Sequence, residues 1–440
     1  MDPVVIGVIC LVAFLILMFL GIPIPFSMLF CGTLGVAVIK SPQVASQLMV
    51  SDLLNTFSSY TLTVGPLFGL MGFVANYSGV GGNLFNAINA FIGHRRGGLA
   101  SATQLACAGF GAICGSVPAC ISTMSAVAYP EMRQRRYAPQ LAGTCIAAGA
   151  ALSVLIPPST NFIIYGLATD TSIGALFVAG IIPGILLTIL NILAIVYIGK
   201  RHPEWAPLSE RKPWKERWVS LREGSLIEIA VVFILSMGGM FAGYFTPTEA
   251  GAVGAFGVII VTAVTRKLNF KKLMSSLLAG VRLQAMVFML LACANIFGRM
   301  FTVSTIPVVM GNFVDSLDVP RWGVMLVILL IYFLLGMVAD LLSMTLVTMP
   351  IFFPIVVDLL GYDPIWFGVI ISMMIAIGGI TPPVGTGIFL VKGCIPSDNE
   401  ATLSKLFAGV WPFVIAAALA TLIMLAVPTL CTVLPELVYG

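Results

Sequence analysis

The sequence predicts an all-α polytopic membrane protein whose two halves repeat in inverted orientation, each with a re-entrant hairpin and a broken helix. Three observations carry this. Of 440 residues, 59% are hydrophobic and only 9% charged, with a mean hydropathy of +1.07, whereas soluble domains carry about 25% charged residues. The apolar residues come in runs of about twenty, the length of a membrane-crossing helix rather than a barrel strand. Finally, a Pro-Pro pair interrupts an apolar run twice, at Pro157-Pro158 and at Pro382-Pro383, 225 residues apart.

The first repeat is expected over residues 1–199. Apolar runs predict crossings at about 4–20 and from about Pro25 to Ile39; with no basic segment before it, the first run is a helix rather than a cleavable signal. Ser41 to Ser59 mixes Val44, Leu48, Leu53, Leu54 and Phe57 with polar residues and reads as an interfacial amphipathic helix. Residues 60–93 form the next crossing, interrupted around Tyr77-Ser78-Gly79-Val80-Gly81-Gly82. Residues 99–130 are apolar, rich in small residues, and flanked by Arg95 and Arg96 before and Arg133, Arg135 and Arg136 after. Basic flanks on both sides place both ends on the cytoplasmic side, hence a re-entrant hairpin with its tip at Gly115-Ser116-Val117-Pro118. The first broken helix spans about 139–166, and a crossing follows at 172–199. Residues 200–224 carry seven basic and four acidic residues with Trp205, Trp214 and Trp218, and read as a solvated cytoplasmic linker at the headgroups.

The second repeat covers residues 225–440. Pro25, Gly32 and Gly35 recur as Pro247, Gly254 and Gly257, each 222 residues on. Crossings fall at 225–243, 246–264 and 276–302, a second hairpin at about 323–357 with its tip near Asp340-Leu341-Leu342-Ser343, and a second broken helix at about 363–393. The hairpin's flanks are mainly acidic (Asp315, Asp318, Asp358 and Asp363). The final crossing begins after Lys405. With the basic loops at 94–98, 131–138, 200–224 and 266–272 inside, the N-terminus lies outside and the halves have opposite orientation. Such inverted repeats are a secondary-transporter plan with the site at the midplane.

At each break the prolines lack the N–H that would bond residue i−4, which frees the carbonyls of Ser153 and Val154 in the first half and of Gly378 and Gly379 in the second. Within hydrocarbon, free carbonyls are tolerated where they line a cavity or coordinate a cation. Candidates for cation coordination are therefore Gly115, Ser116, Ser153, Pro157 and Ser159, and in the second half Asp340, Gly378, Gly379, Thr381, Pro382, Gly385 and Thr386. The small tip residues Gly115, Ser116 and Ser122 equally suit tight helix packing. An acidic group at membrane depth costs roughly 3 kcal/mol unless solvated or paired, so Asp340 is either functional or the cap of the hairpin's second arm. The nine cysteines are scattered without a C-x-x-C pair, and His94 and His202 stand apart beside basic residues, so no metal or redox site is indicated.

The ordered stretches Gly115-Ser116-Val117-Pro118-Ala119, Tyr129-Pro130-Glu131-Met132, Ile156-Pro157-Pro158-Ser159, Leu335-Gly336-Met337-Val338-Ala339-Asp340, Met349-Pro350-Ile351-Phe352-Phe353-Pro354 and Ile380-Thr381-Pro382-Pro383-Val384-Gly385 resemble the large membrane subunit of tripartite ATP-independent periplasmic (TRAP) transporters, over nearly the whole chain. The resemblance implies an elevator mechanism driven by sodium ions, with no cofactor and no enzymatic activity. It also implies a bacterial inner-membrane location and an organic acid cargo, typically a dicarboxylate or sugar acid. Its partners would be a small four-helix membrane subunit, expected as a separate chain, and a periplasmic substrate-binding protein; no nucleic acid is involved.

Candidate substrate contacts are Ser116, Ser122, Asn161, Ser343 and Arg299. Asn161 equally suits a helix cap, and Arg299, near the outer end of a crossing, either grips a carboxylate or snorkels to the headgroups. Glu131 and Glu249 fall near predicted boundaries and receive no role. The alternative reading is a stand-alone sodium–dicarboxylate or citrate symporter, separable by whether the chain transports alone. A membrane-embedded enzyme is disfavoured, because no nucleophile-plus-base pair lies within the apolar runs.

Overall fold

The computed structural model describes residues 2–209, 211, 213–223, 226–316, 319–395 and 397–439, and every regular element among them is helical. The expected boundary between the halves, Gly224-Ser225, lies outside the described residues, as do Glu210 and Lys212 of the linker and Asp318 beside the second hairpin.

The two halves repeat one element order. Pro3–Phe19 and Ile24–Ile39 return as Leu226–Phe241 and Pro247–Val264. The first half then runs through Pro42–Ser58, a short 3-10 turn at Tyr60–Thr63 and Val64–Tyr77, with a bend of 51°. In the second half the same place is filled by one 35-residue helix, Phe270–Ser304. Pro66 explains the difference: it has no N–H for the carbonyl one turn back, whereas Phe288, at the equivalent position, lets the long helix continue. Val80–Ile92 is matched by Ile306–Ser316, and Ile181–Arg201 by Leu403–Ala426. A last helix, Thr429–Tyr439, was not anticipated; Pro428 ends the preceding helix, and Cys431 docks the new one in the core.

Between these elements each half holds a helical hairpin and a broken helix. The first hairpin joins Gly98–Cys114 to Val117–Gln134, and the second joins Arg321–Gly336 to Leu341–Phe353. The first broken helix runs Pro139–Ala150, tightens to 3-10 at Ala151–Val154 and resumes at Thr160–Thr169; the second runs Pro364–Gly378 and resumes at Thr386–Cys394. By length and composition, five helices among the described residues can cross a membrane, or seven when each bent pair counts as one span.

Apolar packing separates two bodies. Phe14, Met28, Phe297 and Phe301 bind the first two helices to the long helix in one cluster, which also takes in the amphipathic Pro42–Ser58. A larger cluster contains the hairpins and broken helices, with Phe110, Tyr129, Tyr165 and Phe367 among its buried side chains, and also takes in Phe68, Met237 and Val258 of the helices around them. Ile164 of the first broken helix and Leu346 of the second hairpin pack into the smaller cluster, so these residues mark the seam.

The linker differs from a purely solvated segment. Its helix Trp214–Glu223 packs on Val80–Ile92: Phe91 meets the Trp214 and Trp218 rings edge-on at 6.4 Å, and the buried Arg217 guanidinium lies 4.7 Å from the Trp214 ring centre. The negative ring face compensates the cation for lost water. Glu249 closes a capping box with Thr246 at the start of Pro247–Val264.

A polar latch ties the halves together. Arg133, roughly 24 Å of helix from the first hairpin's tip, donates to Asp398 at 2.7 Å and to Glu400 at 2.5 Å, while Tyr129 donates to Asp398 at 2.8 Å. Both acidic residues follow the second broken helix. Burial alone would raise the Asp398 pKa, but the hydrogen bonds from Tyr129 and Arg133 outweigh it and hold the group below 3.8. A carboxyl depressed in the folded state stabilises fully above its ordinary pKa and loses that contribution as pH falls through the folded value. Thermal melts of wild type and Asp398→Asn should therefore differ most near neutrality and converge as the pH falls below the ordinary carboxylate range. A second expectation concerns the second hairpin, where a Cβ on Gly378 would meet the Gly336 carbonyl carbon at 2.6 Å. Gly378→Ala should lower stability by about 1–3 kcal/mol, whereas Gly280→Ala, whose nearest neighbour is Phe73 at 3.7 Å, should be close to neutral in the same melt.

Candidate functional site

Proline opens the first broken helix, and hydroxyls close most of the gap. The Ser159 hydroxyl donates to the Val154 carbonyl at 2.5 Å and accepts the Phe162 N–H at 3.4 Å, so it caps both half-helices at once. The Ser153 hydroxyl returns to the Ala150 carbonyl at 2.6 Å, leaving the Ser153 carbonyl without a partner among the described residues. The Pro157 carbonyl is likewise unpartnered, and the Pro157-Pro158 bond is cis.

The second break has the same plan with different groups. Thr381 donates its N–H to the Gly378 carbonyl at 2.9 Å and its hydroxyl to Ile377 at 2.7 Å. The Gly379 carbonyl accepts the Gly387 N–H, 2.8 Å away, from the resumed helix. The expectation that Gly378, Gly379 and Val154 would keep free carbonyls is thus corrected: a low-dielectric interior makes unpaired carbonyls costly, and nearby donors recapture them. Pro382, in the second cis pair, does keep an unpartnered carbonyl.

Each break is clipped to the tip of its own hairpin. Thr160 donates both its N–H, at 3.2 Å, and its hydroxyl to the Gly115 carbonyl. In the second half the Gly385 N–H donates to the Met337 carbonyl at 3.1 Å. Gly115 has φ +56°, and a Cβ there would stand 2.3 Å from the Pro158 oxygen, so only glycine fits this clip.

The first clip, and residues adjoining the second, line one cavity of about 270 Å³. It brings together Gly115 and Ser116 from the first tip, Asp340 from the second, and Gly379 and Thr386 from the second break, while Leu283 and Met286 of the long helix close the remaining side. Four helices begin at its edge, at Val117, Thr160, Leu341 and Thr386, and turn their positive ends toward it. The hydroxyls of Ser116 and Thr386 have no hydrogen-bond partner among the described residues. Nor do the N–H groups of Val117, Ala119 and Thr386.

Other expected site residues are placed elsewhere. Asp340 caps the second hairpin's inner arm by accepting the Ser343 N–H at 3.1 Å and also lines the cavity; Ser343 itself is buried behind it. Ser159 and Thr381 are buried at their breaks without lining the cavity. Asn161, 1% exposed, donates to Ser372 at 2.8 Å and accepts from Thr345 at 2.9 Å, binding the first broken helix to the second hairpin. Ser122 is exposed on the outer face of its arm and lies outside the cavity.

Arg299 neither enters the central cavity nor stands alone. It grips Asp52 with two nitrogens at 3.2 and 3.3 Å, in a separate cavity of about 470 Å³ along the seam. Asp52 is 5% exposed and is the sole charge in the amphipathic arm, a signal from which the pairing was readable. Thr160 was missed too, although it directly follows Ser159 at the break. Nothing in the chain order marks Leu283 and Met286 as cavity residues.

Paired tips clipped to paired helix breaks around one shared cavity define a membrane transport protein. A family model for the "Tripartite ATP-independent periplasmic transporter, DctM component" matches residues 11–430, and the chain belongs to that family. It is a multi-pass transport component and not an enzyme. It is 34% identical to the C4-dicarboxylate TRAP transporter large permease protein DctM of Pseudomonas aeruginosa, over 92% of both chains. The isethionate TRAP transporter permease protein DctMQ of Oleidesulfovibrio alaskensis is 30% identical over 94% of this chain and 64% of its own length. A crystal structure of the Alcanivorax borkumensis YdaH transporter shares the fold, with a TM-score of 0.60, 15% identity and 88% of both chains covered.

Removing the Arg299 guanidinium strands a buried carboxylate, whereas removing both partners does not. Arg299→Ala should cost about 2 kcal/mol, with Asp52→Ala/Arg299→Ala recovering part of the loss in a double-mutant cycle read by thermal unfolding.

Proposed function

We propose that this chain imports a small organic acid anion by sodium-coupled secondary transport across the bacterial inner membrane, with its N-terminus periplasmic. The carrying observation is the shared cavity, where unpartnered oxygens and unpartnered N–H groups from both halves face one space. Oxygens suit a hard cation such as sodium: the Ser116 and Thr386 hydroxyls and the Asp340 carboxylate line the cavity, and the unpartnered Ser153, Pro157 and Pro382 carbonyls at the breaks, outside its lining, are further candidates. Gly115, Ser159, Gly378, Gly379, Thr381 and Gly385 contribute by holding the tips and breaks in place. The converging helix N-termini suit a carboxylate. An organic acid accords with relatives named for a C4-dicarboxylate and for isethionate.

Movement follows an elevator scheme, in which the hairpins and broken helices travel together past the first helices and the long helix. The smaller cluster supports it, since it joins the first two helices to the long helix and takes in few hairpin and broken-helix side chains. The cargo arrives on a periplasmic binding protein, and a small four-helix membrane subunit, here a separate chain, completes the permease. The relative named DctMQ, longer than this chain, accords with such a subunit.

Uptake of labelled organic acids into liposomes tests this, with and without inward sodium, the small subunit and the binding protein. Uptake is expected only with all three. Thr386→Val should raise the sodium concentration for half-maximal uptake about tenfold, the loss of roughly one hydrogen-bond-strength contact. Uptake by this chain alone would mark a stand-alone symporter, and indifference to sodium would refute the coupling.

A further inference from the structure

The walls of the central cavity are far more apolar than a polyhydroxylated or doubly charged cargo requires. Val117, Leu283, Met286, Ile375, Ile380 and Leu390 are among its apolar lining residues. Its polar side chains are four: Ser116, Thr160, Asp340 and Thr386. Two of these are already engaged, since Thr160 donates to Gly115 and one Asp340 oxygen accepts from Ser343. Among the described residues no lysine or arginine lines the space, and Arg299 is held by Asp52 in the other cavity.

This donor set matches one carboxylate. The N–H group of Val117 opens one helix and that of Thr386 opens another, both lining the cavity and without partners among the described residues. They supply directed donors at positive helix ends. A second carboxylate would find no lysine or arginine of the chain among the described lining residues. The hydroxyls of a sugar acid would outnumber the free Ser116 and Thr386 hydroxyls, and each one buried without a partner costs about tenfold in affinity. An alkyl chain, by contrast, gains from every methylene that it buries against these walls.

We propose that the cargo is a monocarboxylate with an apolar body, such as a branched short-chain acid, its carboxylate held by the helix ends at Val117 and Thr386 and its alkyl part against Leu283, Met286 and Ile375. This rests on the reading of the cavity as the organic acid site. It narrows the expectation of a dicarboxylate or sugar acid.

The test is equilibrium binding to the full chain, purified in nanodiscs with its small subunit, using labelled 4-methylpentanoate, succinate and gluconate with and without sodium. 4-Methylpentanoate should bind at least tenfold more tightly than the other two, and only in sodium. Met286→Ser and Ile375→Ser should each weaken it several-fold while leaving the thermal midpoint in sodium without ligand unchanged for at least one of them. Succinate or gluconate binding as tightly as 4-methylpentanoate would overturn the monocarboxylate assignment while leaving sodium-dependent acid transport intact. Equal affinity of wild type and both variants for 4-methylpentanoate would remove it from this cavity. Binding of none of the acids in sodium would overturn both this assignment and the organic acid reading beneath it.

Discussion

Four prolines in the middle of two apolar helices impose the constraint that the rest of this molecule satisfies. Each removes a donor from a helix that has little water to replace it, so the released carbonyls must be recaptured by the protein. Val154 is recaptured by the Ser159 hydroxyl and Gly379 by the Gly387 N–H. The resumed helices, in turn, carry N–H groups seeking acceptors, and the hairpin tips provide them: Gly115 to Thr160, and Met337 to Gly385. Breaking the helices therefore compels the hairpins to meet them. The cavity is what remains where the two assemblies face each other.

The clips also account for how the chain divides. A tip bonded to its break cannot shift against it without exposing backbone groups, so each hairpin and its broken helix behave as one piece. Asn161 and the Arg133–Asp398 latch then join the piece from the first half to that from the second. Polar ties to the surrounding helices are few, among them Thr123 to Asn76 and Asn191 to Gln104, and along the first two helices packing is carried by side chains such as Ile164 and Leu346. Apolar contacts lack direction and can be exchanged for similar ones, whereas the clips are directional, a contrast that the proposed elevator scheme would use.

The halves are not equivalent, and the differences have local causes. Pro66 breaks in the first half what Phe288 leaves continuous in the second. The result is a separate arm, Pro42–Ser58, that needs its own anchor, and the Asp52–Arg299 pair pins it to the long helix. The same helix presents Leu283 and Met286 to the cavity, so one element braces the arm and forms a wall of the site.

Much of the plan was legible in the residues in order. Composition determined the membrane class, the proline pairs located both breaks, and small residues with Asp340 located both tips, because proline, glycine and a membrane-depth carboxylate act through local backbone chemistry that needs no neighbour. The identity of the free oxygens was not legible. Whether a carbonyl stays open at Ser153 or is recaptured at Gly379 depends on which donor lies within 3 Å after folding. The partner of Arg299 and the place of Asn161 were equally hidden, since their contacts cross 247 and 211 residues of chain. The sequence by itself determined where the backbone must break; only the tertiary structure decided what each break holds, because a hydrogen bond is short and directional while chain separation says nothing about distance.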